Sequence, residues 1–178
     1  MATIYITNKT INDMNAYRKA DIEGRKHFAE DFGTYYITAG TEDDTDRTDV
    51  LATARTNPNK IYTIEIKSYD NKEHPRYYTK FIYKDKGQTE YTDHGYQVDY
   101  DKIDYLMRMW ENENRIPILY ARFSDYTIVW DLRTIPYKER AKMVEVNADG
   151  QHYGERKELA NQTYLYINEA KYKKLTQN

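Results

Sequence analysis

Glu65 and Lys67 stand two residues apart in the run Lys60-Ile61-Tyr62-Thr63-Ile64-Glu65-Ile66-Lys67-Ser68. The β-branched and aromatic content of that run reads as a strand, and alternation places Tyr62, Ile64 and Ile66 on one face and Thr63, Glu65 and Lys67 on the other. A carboxylate and an ammonium therefore project side by side from a strand whose reverse face is apolar. Upstream, Asp49 to Arg55 reads as a second strand, joined through the turn-rich Thr56-Asn57-Pro58-Asn59. A hairpin centred near Pro58 sets Asp49 opposite Lys67 and Leu51 opposite Glu65. Asp49, Glu65 and Lys67 then share one face within roughly two residue steps, near enough to hold one metal ion together.

Two carboxylates crowded into a small area call for a cation between them, and Mg²⁺ is bound by one or two carboxylates together with waters and substrate phosphate. A lysine at the rim adds positive charge for the developing transition state, or orients the attacking water. The chemistry is metal-assisted hydrolysis of a phosphodiester. A Glu-x-Lys pair alone is an ordinary solvated salt bridge, so Asp49 on the partner strand is what makes a site of it.

The elements that must position these residues follow the chain. From Ile11 to Asp31, Met14, Tyr17, Ala20, Gly24 and Phe28 recur at steps of three and four, a helix capped by Asn12 or Asp13 and ended by Gly33. Residues 34 to 39 read as a short strand, and 40 to 48 as a polar, acidic connection. After the hairpin come a loop at 70 to 75 and a strand candidate from Tyr77 to Tyr83. The neighbouring Lys80-Phe81-Ile82-Tyr83-Lys84-Asp85-Lys86 interleaves basic and aromatic residues, a mixture suited to a phosphate backbone and exposed bases or to a lysine-guarded edge strand. Asp99 caps a second helix with Ile103, Leu106, Met107 and Trp110 in a three-four-seven pattern. Strands are expected at 116–123, 127–132, 143–146 and 163–167, before a basic tail at 171–175.

With 178 residues the chain fits one domain able to bury roughly 70% of its unfolded surface. Its 20 tyrosines carry much of the apolar duty in a chain whose mean hydropathy is −1.01, and each buried ring needs a hydroxyl partner. No cysteine is present, which excludes disulfides, thiolate metal sites and cysteine nucleophiles. No long apolar run or basic leader occurs, so a soluble, cytoplasmic protein is expected, in a host cytoplasm if the chain is viral. The net charge of −2 means that attraction for nucleic acid must come from a local patch. No Walker loop, dinucleotide fingerprint or Ser/His/Asp spacing is present, and Asp149-Gly150 reads as a turn.

The run Thr48-Asp49 followed by Ile64-Glu65-Ile66-Lys67-Ser68, set in helix, three strands, helix and two strands, resembles the PD-(D/E)xK nuclease superfamily. The stretches Tyr100 to Leu106 and Ile116 to Ala121 are similar to the helix and strand that follow the lysine in Holliday-junction-resolvase-like and phage-type members. The resemblance covers about residues 12–132. It implies an α/β, restriction-endonuclease-like core, a mixed central sheet flanked by helices in the order α-β-β-β-α-β-β, with a C-terminal β extension at about 136–178, all within a single domain, 1–178. It also implies that Asp49 and Glu65 ligate Mg²⁺ (Mn²⁺ as substitute), that the Ile66 backbone carbonyl adds a ligand, and that Lys67 serves the water or the transition state. Glu23 matches an acidic position that some members carry on the first helix. The family's proline before the aspartate is Thr48 here, with Asp46 as the fallback ligand.

His27 sits where the related cap-snatching RNA endonucleases carry a helix histidine that ligates metal and favours Mn²⁺. The expected function is a Mg²⁺-dependent DNA endonuclease, with Lys72, Arg76, Lys80, Lys84 and Lys86 contacting the strand. The alternatives are a non-catalytic nucleic-acid-binding or protein-interaction member of the fold, and an RNA endonuclease. No membrane partner is expected, and a homodimer is compatible with the sequence.

Overall fold

In the computed structural model, residues 16–33, 36–39, 50–69, 72–74, 78–84, 87–93, 95–147 and 157–177 are described. Among the described residues the architecture is α/β with a mixed sheet, two α-helices, α1 (Ala16–Phe32) and α2 (Tyr100–Glu113), and eleven strands. The chain divides into two compact units, the first formed by residues 1–74, 106–134 and 170–178 and the second by 75–105 and 135–169.

The first unit is built on a six-stranded sheet in the order β1-β2-β3-β7-β8-β11, from β1 (Tyr36–Ala39), β2 (Val50–Ala54), β3 (Asn57–Tyr69), β7 (Arg115–Phe123), β8 (Tyr126–Asp131) and β11 (Tyr172–Leu175). β1, β2 and β3 form an antiparallel meander, and β3 then pairs in parallel with β7 in an unbroken register from Ile61↔Arg115 to Tyr69↔Phe123. A parallel pair needs a long crossover. Residues 70–114, which include α2, supply it.

Strand β3 is buried on both faces at its centre, with Thr63, Ile64, Glu65 and Ile66 each at most 5% exposed. The face bearing Ile64 and Ile66 joins Val50, Ala52, Tyr120, Val129 and Phe28 of α1 in one core cluster. The repeat Gly24, Phe28, Phe32 sets that contact, one residue per turn at a spacing of four. A Cβ built on Gly24 would lie 2.8 Å from Ile66 Cγ2, so only glycine lets the helix approach so closely here.

Helix α2 begins as its sequence predicts, with the Asp99 carboxylate accepting the Asp101 N–H at 3.2 Å. It ends at Asn114, which takes φ 54° and returns its N–H to the Trp110 carbonyl at 3.0 Å, a left-handed cap that asparagine tolerates. Ile103 and Leu106, the inward positions of the expected pattern, are fully buried.

The second unit contains β4 (Tyr78–Lys84) paired with β5 (Gly87–Asp93), and the sheet β6-β10-β9 formed by β6 (Tyr96–Asp99), β10 (Lys157–Leu165) and β9 (Lys142–Asn147). Thr163 donates to the Tyr137 carbonyl at 2.7 Å, and Tyr137 donates to Asp104 at 2.8 Å. Arg140 grips Glu169, donates to the Tyr164 carbonyl at 3.1 Å and lies 3.8 Å over the Tyr166 ring. These contacts satisfy tyrosine hydroxyl and backbone groups that burial would otherwise strand.

Several sequence expectations change. The hairpin turns at Arg55–Thr56 rather than around Pro58, with Ala54 facing Asn57. A register irregularity between Thr53 and Ala54 leaves Pro58, Asn59 and Lys60 as extra residues on β3, Thr53 already pairing with Ile61. Leu51 therefore faces Thr63 and not Glu65. The slip is two residues, an even number, so the strand faces keep their identity. Within the segment 171–175, read as a basic tail, Tyr172–Leu175 forms the edge strand β11, and β5 and β6 occupy what the sequence left irregular.

Candidate active site

Regular alternation along β3 puts Thr63, Glu65 and Lys67 on the face away from α1, since Ile66 and Ser68 are the side chains that meet Gly24. Glu65 is 3% exposed, and its Oε1 takes the Lys67 ammonium at 2.7 Å while the lysine side chain stays 40% exposed. A carboxylate of that burial is stable only with a positive charge beside it. Lys67 supplies that charge and still reaches solvent.

The neighbours of these residues are small or apolar. Glu65 pairs with Leu119, Lys67 with Ala121, and Thr63 with Leu51 on one side and Pro117 on the other. Thr63 is fully buried, and its Oγ1 has no hydrogen-bond partner among the described residues.

Asp49, the expected second carboxylate, lies outside the described residues, as does the fallback Asp46. Val50, the residue after Asp49, has Ile64, the residue before Glu65, as its partner. Glu23 and His27 both stand on α1, which packs on the opposite face of the sheet from Glu65 and Lys67. The strand alternation that buries Ile66 under the helix is the reason they are not brought to the pair. Glu23 is exposed, and His27 makes a 3.4 Å contact with Glu30 one turn along the same helix. The Ile66 side chain is 5% exposed under α1.

Of the expected strand-contacting residues, Lys72 is exposed just after β3, and Lys80 and Lys84 belong to β4, where they pair with Tyr91 and Gly87. Arg76 and Lys86 lie outside the described residues. Among the described residues no group of three or more histidine, aspartate or glutamate side chains is placed to hold a metal ion, and no helix is long and apolar enough to cross a membrane.

Two clusters escaped sequence reasoning because their members are far apart in the chain. His74, 7% exposed, brings both its backbone N–H (2.8 Å) and its Nδ1 (2.6 Å) to the Asp125 carboxylate, 51 positions away. Its ring stands edge-on to Tyr126, with centroids 5.0 Å apart. Burial pushes the Asp125 carboxyl up, but the His74 bonds outweigh it and hold the group below its ordinary value. On the other face, buried Tyr120 donates to Asp31 Oδ2 at 2.7 Å, and Lys174 of β11 reaches Asp31 Oδ1 at 2.5 Å. Burial, then the facing Asp31, drives the Tyr120 phenol far above its usual range. This triad ties the end of α1 to the sheet and to its edge strand, and proton release from Tyr120 is suppressed. No family model matches the chain, and no curated protein or solved structure matches it.

Proposed function

We propose that the chain is a divalent-metal-dependent endonuclease that hydrolyses DNA phosphodiesters, a restriction-endonuclease-like protein in which Glu65 and Lys67 are catalytic residues. The observation that carries this reading is the pair itself: a 3% exposed carboxylate and a 40% exposed lysine, 2.7 Å apart on one face of the central strand. A buried carboxylate held by a solvent-reaching ammonium is the kind of partnered charge that functional sites use. The succession of helix, three-stranded meander, helix, parallel strand and antiparallel strand supports the fold assignment, with β4, β5 and β6 as an insertion before α2.

In this reading the cation would take the carboxylate oxygens of Glu65 and of Asp49, which lies outside the described residues, both oxygen ligands of the kind Mg²⁺ and Mn²⁺ accept. The bound cation supplies Lewis-acid polarisation of the phosphoryl group and a more acidic water. Glu65 would hold the cation through its carboxylate. Lys67 swings from Glu65 toward the substrate and neutralises charge developing on the phosphoryl oxygens, a role its solvent-reaching side chain allows. Lys72, Arg76, Lys80, Lys84 and Lys86 are the residues this reading assigns to phosphate contacts, whose contribution falls with salt.

The test is cleavage of plasmid and single-stranded DNA with Mg²⁺ or Mn²⁺ by the wild type and by Glu65→Gln and Lys67→Ala. Loss of cleavage in both variants, with far-ultraviolet circular dichroism unchanged, is expected. Retained cleavage in both sinks the assignment. Mn²⁺ binding without cleavage of DNA or RNA assigns the non-catalytic alternative, and cleavage of RNA alone reassigns the substrate.

A further inference from the structure

Toward the C-terminal ends of β3 and β7 the face that carries Glu65 turns basic and aromatic. The register pairs run Lys67↔Ala121, Ala121↔Ile128 and Ile128↔Lys173, so Lys67 of β3 and Lys173 of β11 stand in one row on one face, about 14 Å apart at the usual strand spacing. Two residues further on, Tyr69 pairs with Phe123, and Tyr126 with Leu175. Tyr69 lays its ring on the buried Phe123, with centroids 5.5 Å apart and 19° between the planes, and is itself half-buried. Lys173 Nζ lies 4.2 Å from the centroid of the Tyr126 ring. His74 stands edge-on to Phe123 and Tyr126, and close before it comes the exposed Lys72, whose N–H meets the Tyr69 carbonyl at 3.0 Å and whose carbonyl takes the Ser124 N–H at 2.9 Å. Those backbone bonds and the His74–Asp125 clasp fix the segment 72–74 at the strand ends. Among the described residues here, Lys67, Lys72 and Lys173 bring positive charge to solvent against the exposed carboxylate of Glu73, while Asp125 is held by His74.

We infer that this rim binds single-stranded DNA, with phosphates on Lys173, Lys72 and Lys67 and an unpaired base stacked on Tyr69, and that it leads the strand to the Glu65–Lys67 pair. This rests on the nuclease reading above and narrows its substrate to DNA whose bases are unpaired where it enters. Ammonium groups set along a face follow a phosphate backbone without reading sequence. An aromatic ring held rigid offers its π-face to any unpaired base, a contact that a duplex with its bases stacked inside does not make. Phe123 supplies that rigidity by backing Tyr69 from the core. The Tyr126 ring holds the Lys173 ammonium in place by cation–π attraction and leaves its charge to meet a phosphate. The basic run at the end of the chain thus joins the site only through its pairing with β8, which sets Lys173 in the row of Lys67.

The experiment reads, by fluorescence anisotropy across a salt series, the binding of a labelled oligothymidylate and of a duplex of equal length, with a chelator present so that no cleavage intervenes. The full chain is compared with Lys72→Ala, Lys173→Ala, Tyr69→Leu and Tyr69→Phe, and with Lys26→Ala, an exposed lysine of α1 on the other side of the sheet. The wild type should bind the single strand tighter than the duplex by about tenfold. Lys72→Ala and Lys173→Ala should each weaken that binding and lower the slope of log affinity against log salt by about 0.7, and Lys26→Ala should change neither. Tyr69→Leu should weaken single-strand binding about tenfold with the salt slope unchanged, and Tyr69→Phe, which keeps the ring, should bind as the wild type does. A duplex bound as tightly as the single strand, full affinity in Tyr69→Leu, or a Lys26→Ala effect equal to that of Lys173→Ala overturns the inference. Because no metal is present, the outcome is separate from cleavage. The expected binding pattern in a protein that cleaves no DNA leaves the strand-binding rim standing and sinks the nuclease reading, whereas cleavage without the pattern sinks the rim alone.

Discussion

Replacing Lys67 by methionine isolates what the ammonium does for Glu65, because the side chain keeps its apolar stem and loses only the charge. At 2.7 Å two unit charges attract by about 6 kcal/mol at an effective dielectric near 20. Desolvation of the 3% exposed Glu65 consumes much of that. Breaking a fully buried pair typically costs ~3–5 kcal/mol, and an exposed pair contributes at most ~1 kcal/mol. With Lys67 40% exposed, solvent screens part of the interaction, and the expected loss is about 2 kcal/mol, between those limits. Urea unfolding at neutral pH in the presence of a chelator measures it, provided the slope with denaturant is unchanged. The double variant Glu65→Gln/Lys67→Met should recover a large part of the loss, since a neutral amide no longer requires the ammonium, giving a clear coupling energy. Mn²⁺ at a hundredfold excess over its Kd should then stabilise Lys67→Met by about 2.7 kcal/mol, replacing the missing positive charge. A Lys67→Met variant within about 0.5 kcal/mol of wild type, without coupling to Glu65, would refute the reasoning, for it would mean that the pair is a surface ornament.

Tyr120→Phe removes the hydroxyl that donates to Asp31 at 2.7 Å inside the core and should cost about 1.5–3 kcal/mol, the range for hydrogen bonds to charged groups. Combined with Lys174→Met, which acts on the same carboxylate, the effects should fail to add, and thermal unfolding of the single and double variants checks both statements. Acid stability follows from three depressed carboxyls. For Asp125 and Asp131 burial is the largest influence and pushes upward, outweighed by the combined bonds from His74 and from Arg133. For Glu169 the Arg140 hydrogen bond is the largest and pulls downward. A depressed carboxyl binds its proton more readily in the unfolded chain, so its contribution is complete above the ordinary values of 3.8 and 4.5 and disappears as pH falls below them. Unfolding free energy measured from pH 6 down to pH 2 should decline steeply below about 4.5, less so in Asp125→Asn, and a flat profile would contradict it.

Local signals carried a large share of this fold. Asp99 announced the start of α2 because a short carboxylate side chain can satisfy an orphan N–H within two residues, and Ile103 and Leu106 announced its buried side because helical periodicity belongs to the segment itself. The apolar runs that became β7 and β8 were legible for the same reason, as was the placement of Glu65 and Lys67 on one face of β3, since alternation needs no partner strand.

Where those elements pair was another matter. Turn residues marked a hairpin near Pro58, but the turn formed at Arg55–Thr56 and the surplus Pro58, Asn59 and Lys60 went into an irregular β3, because register is decided by which side chains both strands must bury together. The lysine-rich segment 171–175 gave no apolar strand signal, and becomes β11 only because the edge of β8 offers it a ladder and Asp31 a counter-charge. His74 with Asp125 and Tyr120 with Asp31 lie 51 and 89 positions apart, beyond the reach of any local pattern.

What the sequence by itself determined is the chemistry available on one strand face, Thr63, Glu65 and Lys67 in alternate positions, since period-two geometry follows from the backbone alone. What only the tertiary structure decided is their environment. By enclosing β3 between β2 and β7 it buried Glu65 against Lys67 and left the Thr63 hydroxyl without a partner among the described residues. Burial and pairing are properties of residues brought together from across the chain, and they turn a charged strand face into a candidate site.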